Sequence, residues 1–158
     1  RIINPDRLID KFTGKEGLFE NSPFDERTRQ IISKSKMPLG VLIDKDLQQV
    51  KNVFIPLFFP EDTFLMDYCQ KLIYNSNANI SVLDINNLVK SNFVMQSALQ
   101  SLEDKYPNNM TLLQERIMKK EFLTKQDLMI ISLESWKKLV DSQSVWLSNV
   151  PSVLILKP

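Results

Sequence analysis

The sequence predicts an α/β fold: a doubly wound, mostly parallel five-stranded sheet in a three-layer α/β/α arrangement, preceded by an extra helix and strand. Three observations carry this. Short apolar runs rich in β-branched residues alternate with amphipathic stretches at helical spacing, the pattern of a parallel sheet covered on both faces. The apolar fraction of 43% suffices for a packed core in a chain of 158 residues. The third is a repeated phrase: "SKSKMPLGVLIDK" in the first third and "SNVPSVLILKP" at the end each place a proline before an apolar run that closes on lysine.

The elements follow in order. Residues 1–21 are charged and weakly periodic, and hold Gly14 and Gly17, so they read as a loop with at most a short helical turn. Ser22 is a natural N-cap, Pro23 suits the first helical position, and Asp25 and Glu26 favour a helix N-terminus. Phe24, Thr28, Ile31 and Ile32 continue that helix until Pro38 stops it. Strands are expected at 39–43, 51–59, 79–85, 109–117, 127–133 and 152–157. Helices are expected at 61–76, 86–105 and 134–149, with a turn or short helix at 119–126. Pro56 falls near the end of its strand, where a missing ladder donor is tolerable. Right-handed crossovers make residues 49–158 a complete doubly wound unit and leave the first helix–strand pair, 22–43, over.

Composition excludes several function classes. Lys and Arg total 20 against 19 Asp and Glu, unlike the basic surface of a duplex-binding protein, so no nucleic-acid partner is expected. There is no histidine, which removes Ser-His-Asp and Cys-His catalysis and His-based metal sites. The single cysteine, Cys69, permits no internal disulfide, fits a reducing compartment, and reads as a buried structural thiol. No run approaches the roughly 18 apolar residues of a membrane span, and no signal peptide is visible. Because the chain begins with Arg1 rather than Met, it reads as a piece of a longer protein. The acidic pairs Glu61–Asp62, Glu103–Asp104 and Asp44/Asp46 read as solvated helix ends and turns rather than cation sites. The basic stretch 116–125 reads as ordinary surface, with an anionic lipid face as the alternative.

"GLFENSPFDERTRQIISKSKMPLGVLIDKD", followed by "VKNVFIPLFFPEDTFLMDYCQKLI" and "NISVLDI", resembles the cytosolic C-terminal region of monovalent cation:proton antiporters. These are sodium/hydrogen exchanger-type carriers with a universal-stress-protein-like tail. "DLMIIS" (127–132) and "VPSVLILK" (150–157) resemble the last two strands of that fold. The resemblance implies that 1–48 is the last helix and strand of a first stress-protein-like half, and 49–158 a complete second half. It implies that strand 39–43 lies antiparallel to strand 152–157. It implies a non-catalytic regulatory domain on the cytoplasmic side of the cell membrane. Its partners would be the membrane-embedded part of the same parent chain and a second copy as a homodimer. The alternative is a free-standing stress-protein-like nucleotide binder.

Stress-protein folds often hold ATP phosphates in a glycine-rich loop after the fourth strand, with an acidic residue at the end of the first. Here Phe58 stands about where that acid would be, and no glycine follows Gly40. Glu134 and Trp136 fall in the expected loop, and Asp141 near an expected glycine, where a carboxylate repels phosphate. Ser142 and Ser144 are the weak cofactor-binding candidates that remain. No cofactor and no metal are expected. For a small nucleotide held mainly by stacking, the sequence supplies no argument.

Overall fold

A computed structural model describes residues 2–4, 7–9, 30–32, 34–114 and 119–158. Its strands are β1 (Ile2–Asn4), β2 (Arg7–Ile9), β3 (Leu39–Ile43), β4 (Asn52–Leu57), β5 (Asn79–Asp84), β6 (Met110–Leu112), β7 (Leu128–Ser132) and β8 (Ser152–Lys157). The helices are α1 (Leu65–Ser76), α2 (Leu88–Ser91), α3 (Phe93–Lys105), α4 (Lys120–Thr124) and α5 (Leu133–Asp141). Short 3-10 turns span Pro60–Phe64 and Val145–Ser148.

The described strands form one sheet in the order β2-β1-β3-β8-β7-β4-β5-β6. The segment from β8 to β6 is parallel throughout and holds the five strands expected of a doubly wound unit. β3 runs antiparallel to β8, with Leu39 opposite Lys157 and Ile43 opposite Val153. The repeated phrases therefore end on strands that lie side by side.

The sheet is larger than expected because β1 pairs antiparallel with β3 and with β2, within residues read from sequence as a loop. Three-residue strands are too short to show alternation, and their pairing partner is 30 or more residues away for β3. The start of the expected first helix lies outside the described residues, whereas Gln30, Ile31, Ile32 and Lys34 are helical.

Alternation within the strands divides the core into two layers, since successive side chains point to opposite faces. Val53, Ile55 and Leu57 of β4, with Leu128 and Ile130 of β7, pack under α1, α2 and α3. Phe54, Met129, Ile131, Val153 and Ile155 pack on the other face with Trp136, Leu139 and Val140 of α5 and with Leu123 of α4. Helices thus cover both faces. Lys157 fastens the first helix to the sheet: its Nζ donates to the carbonyls of Ile32 at 2.6 Å and Ser35 at 3.0 Å.

Three helices differ from expectation for local reasons. The stretch 86–105 is broken at Asn92, whose backbone is extended and whose side chain caps α3 by accepting from Met95 N at 2.9 Å. The stretch 134–149 ends as α-helix at Asp141, because Gln143 takes a left-handed conformation at φ 51° and Ser144 caps the following 3-10 turn. The stretch 61–76 opens as a 3-10 turn. The fourth expected strand, 109–117, shrinks to Met110–Leu112; residues 115–118 lie outside the described residues.

Ile155 is 1% exposed in the middle of β8. Ile155→Ala is expected to cost about 2–5 kcal/mol in urea unfolding. Thr111→Ala on the exposed face of β6 should stay within about 0.5 kcal/mol.

Candidate functional site

In an open α/β sheet the place to look for a ligand is the crevice outside the carboxyl ends of the strands, where the strand order reverses. Here that is between β4 and β7: the chain steps outward from β4 through β5 to β6, then returns to β7 on the other side of β4. Pro56 decides how this crevice opens. Lys51 and Leu57 turn their carbonyls to β5, accepting from Asn79 N and Ile85 N, while Asn52 turns its carbonyl to the β7 side, accepting from Asp127 N. Even-numbered residues of β4 therefore face β7, and Pro56 is the one without an N–H to offer. The β4–β7 ladder stops at Phe54 opposite Met129, while the β4–β5 ladder runs on to Leu57 opposite Asp84.

Asp62 ties the two sides together beyond the end of the ladder. It lies in the 3-10 turn after β4 and is 2% exposed. Its Oδ2 accepts from Phe58 N at 2.9 Å, Phe59 N at 3.1 Å and Ser135 Oγ at 2.9 Å. Its Oδ1 accepts from Ser132 Oγ at 2.6 Å. Ser132 is also the N-cap of α5, its Oγ accepting from Ser135 N at 3.2 Å. The two serine oxygens lie 2.9 Å apart, within hydrogen-bond reach of each other as well as of the carboxylate. On the aromatic side, Phe58 and Phe54 meet Trp146 at ring distances of 6.3 and 6.1 Å.

Beside this knot is a cleft of about 450 Å³, lined among others by Phe59, Phe64, Leu133, Glu134, Lys157 and Asp62 itself. Its charges are mixed. Glu134 lies 3.3 Å from Lys137, Lys138 Nζ sits 5.3 Å from the centre of the Phe59 ring, and the Lys157 ammonium is held by helix carbonyls. A second, more open cleft of about 690 Å³ lies at the ends of α1 and α3, where Lys71, Tyr74, Lys105 and Tyr106 contribute. The serines are buried and serve the carboxylate as donors, so neither is poised as a nucleophile. Among the described residues no three His, Cys, Asp or Glu side chains form a group able to hold a metal.

The expected site residues are not brought to the crevice. Ser142 follows the last residue of α5 and donates to Leu139 O at 3.2 Å; Ser144 accepts from Trp146 N at 3.3 Å. Both belong to the far end of the nine-residue α5, about 13 Å of helix rise from Ser132. Glu134 and Trp136 are in the first turns of α5 and not in a loop, because β7 runs straight into the helix at Ser132. Trp136 is completely buried, and its Nε1 has no partner among the described residues. Phe58 is buried; its N–H goes to Asp62 and its carbonyl accepts from Asn86 Nδ2 at 2.8 Å. Asp62, read from sequence as solvated, is the buried centre of the site. The available signal was its place two residues after the apolar run "VFIPLFFP", with Ser132 closing the apolar strand "DLMIIS".

No protein-family model, curated protein or solved structure matches the chain. The class that the fold defines is therefore an α/β domain with a mostly parallel sheet and helices on both sides. No helix among the described residues is long and apolar enough to cross a membrane.

Asp62→Ala would strip the acceptor from two amides and two hydroxyls and is expected to lower stability by about 3 kcal/mol or more. Ser135→Ala removes one donor and should cost about 1–2 kcal/mol in the same urea titration. Cys69 is fully buried and desolvation pushes its thiol up to about 12, so it stays protonated at pH 8. A thiol-reactive dye at pH 8 should label it only after unfolding; rapid labelling of the native chain would contradict this.

Proposed function

We propose that this chain is a non-catalytic cytosolic regulatory domain of a membrane cation:proton antiporter of the sodium/hydrogen exchanger type. It acts through contacts with the membrane-embedded part of the same parent chain, on the cytoplasmic side of the cell membrane. The observation that carries the reading is the antiparallel pairing of β3 with β8 across five residue pairs. That is the arrangement implied if 1–48 is the remnant of a first stress-protein-like half and 49–158 the complete second.

Two further features support a domain that works by contact and not by chemistry. The chain has no histidine, and its switch-point crevice is filled by a carboxylate whose hydrogen bonds are internal. Dimerisation must use a surface other than the last strand: β8 has β7 on one side and β3 on the other, so its edge is spent within the chain. Among the described strands, a homodimer joined through strands would use β2 or β6, the outer ones.

The alternative, a free-standing nucleotide binder, draws its support from the cleft beside the switch point. Thermal unfolding with ATP separates the two. The regulatory reading expects no saturable shift, whereas a ligand that binds the native state raises stability by mass action. The parent gene provides the direct test. Its sequence upstream of this chain should hold on the order of a dozen apolar segments of about 20 residues each, and their absence would end the antiporter reading.

A further inference from the structure

Asp62 is an unusual group to bury. A carboxylate at 2% exposure is ordinarily paired with a lysine or arginine, yet its partners here are four neutral donors. Those donors come from two separate elements. Phe58 N and Phe59 N follow directly on β4, and the hydroxyls of Ser132 and Ser135 belong to the cap and first turn of α5. α5 has nine residues, so its N-terminus adds the partial positive charge of a helix dipole at the same place. Converging N–H and O–H donors at a helix N-terminus form the kind of cradle that receives phosphate or carboxylate oxygens. The position is also where a doubly wound sheet offers a site to a ligand.

We propose that Asp62 is an internal oxyanion: its carboxylate occupies an anion site built by Phe58, Phe59, Ser132 and Ser135, and thereby keeps phosphate out of the switch-point crevice. Asp62 is thus the residue that sets the specificity of the crevice. A carboxylate tethered three and four residues from two of its donors competes at a high effective concentration, and no free anion displaces it easily. Its charge also repels a second anion nearby. The adjoining cleft of about 450 Å³ reaches both Asp62 and Ser132, so shortening the side chain at 62 joins the vacated cradle to an open path. Glu61 and Glu134 at the same cleft oppose an incoming anion, and the α5 N-terminus and Lys157 favour one. This inference rests on the hydrogen bonds of Asp62 and is independent of the antiporter reading.

The test uses the full chain and inorganic phosphate. Wild type, Asp62→Gly, Asp62→Ser and Asp62→Asn are followed by thermal unfolding and isothermal titration as phosphate replaces chloride at constant ionic strength. Phosphate stabilises proteins generally by exclusion from their surface, and the wild-type shift measures that effect. Asp62→Ser keeps an acceptor for the Phe58 and Phe59 amides and guards against loss of folding. The expected result is a saturable rise in Tm for the Gly and Ser variants. It should exceed the wild-type shift by about 5 °C or more at a phosphate concentration roughly 100 times Kd. Asp62→Asn, which still fills the cradle, should follow wild type. If Asp62→Gly is unfolded in chloride, phosphate-dependent recovery of its circular dichroism counts as the same gain. Gly and Ser variants that shift no more than wild type, or that stay unfolded at every phosphate concentration, overturn the proposal. So does an Asn variant that gains as much as Gly, because the cradle would then not be what phosphate enters.

Discussion

Pro56 stops the ladder between the neighbouring strands β4 and β7, and the Asp62 carboxylate closes the gap that results. The rest of the domain is arranged around this pair. Without a donor at Pro56, β4 and β7 share only the register pairs at Val53 and Phe54. The carboxyl ends of these strands are then held by side chains in place of backbone. Asp62 reaches from the turn after β4 to the cap of α5, so one group fixes the end of one strand, the start of the helix that follows the other, and the first turn of that helix. Such a network is stabilising only when every member is satisfied. Here all four donors reach the carboxylate at 3.1 Å or less.

The opposite side of the sheet is governed by a different constraint. A parallel sheet that ends at β8 would present a buried, β-branched strand with an open edge, which is a hazard unless it is paired. The chain solves this with its own N-terminal strand. β3 pairs with β8 from Val153 to Lys157, and β1 and β2 extend the sheet outward. Lys157 then fixes the helix that leads into β3 by capping its carbonyls, so the end of the chain holds its beginning. This gives a physical meaning to the repeated proline–apolar–lysine phrase: the two copies are neighbours, and the lysine of the second acts on the helix preceding the first.

Much of this was legible in the sequence. The alternation of apolar runs with amphipathic stretches placed β3 and β8 to the residue, and the other parallel strands to within a few residues except at the ragged end of β6. Cys69 was legible as buried from its place beside Tyr68 and Leu72 on a helix, and in the structure it packs in the core with Leu65 and Ile73. Asp62 was not legible. A carboxylate beside Glu61 and after a proline has the local signature of a solvated helix start, and the serines that bury it lie 70 and 73 residues further on. The breaks at Asn92 and Gln143 were missed for the converse reason: single polar residues in otherwise helical patterns end a helix only when their side chains or φ angles find a local use.

By itself, then, the sequence determined the layering of this protein, because hydrophobic periodicity is a local property that burial reads directly. It also excluded histidine-based chemistry and a glycine-rich phosphate loop, because those need residues that are absent. Only the tertiary structure decided which strands share an edge, that two three-residue segments near the N-terminus join the sheet, and that the switch-point crevice is closed by a carboxylate. Each of these depends on donors and acceptors far apart in the chain, and their free energy exists only when the fold brings them within hydrogen-bonding distance.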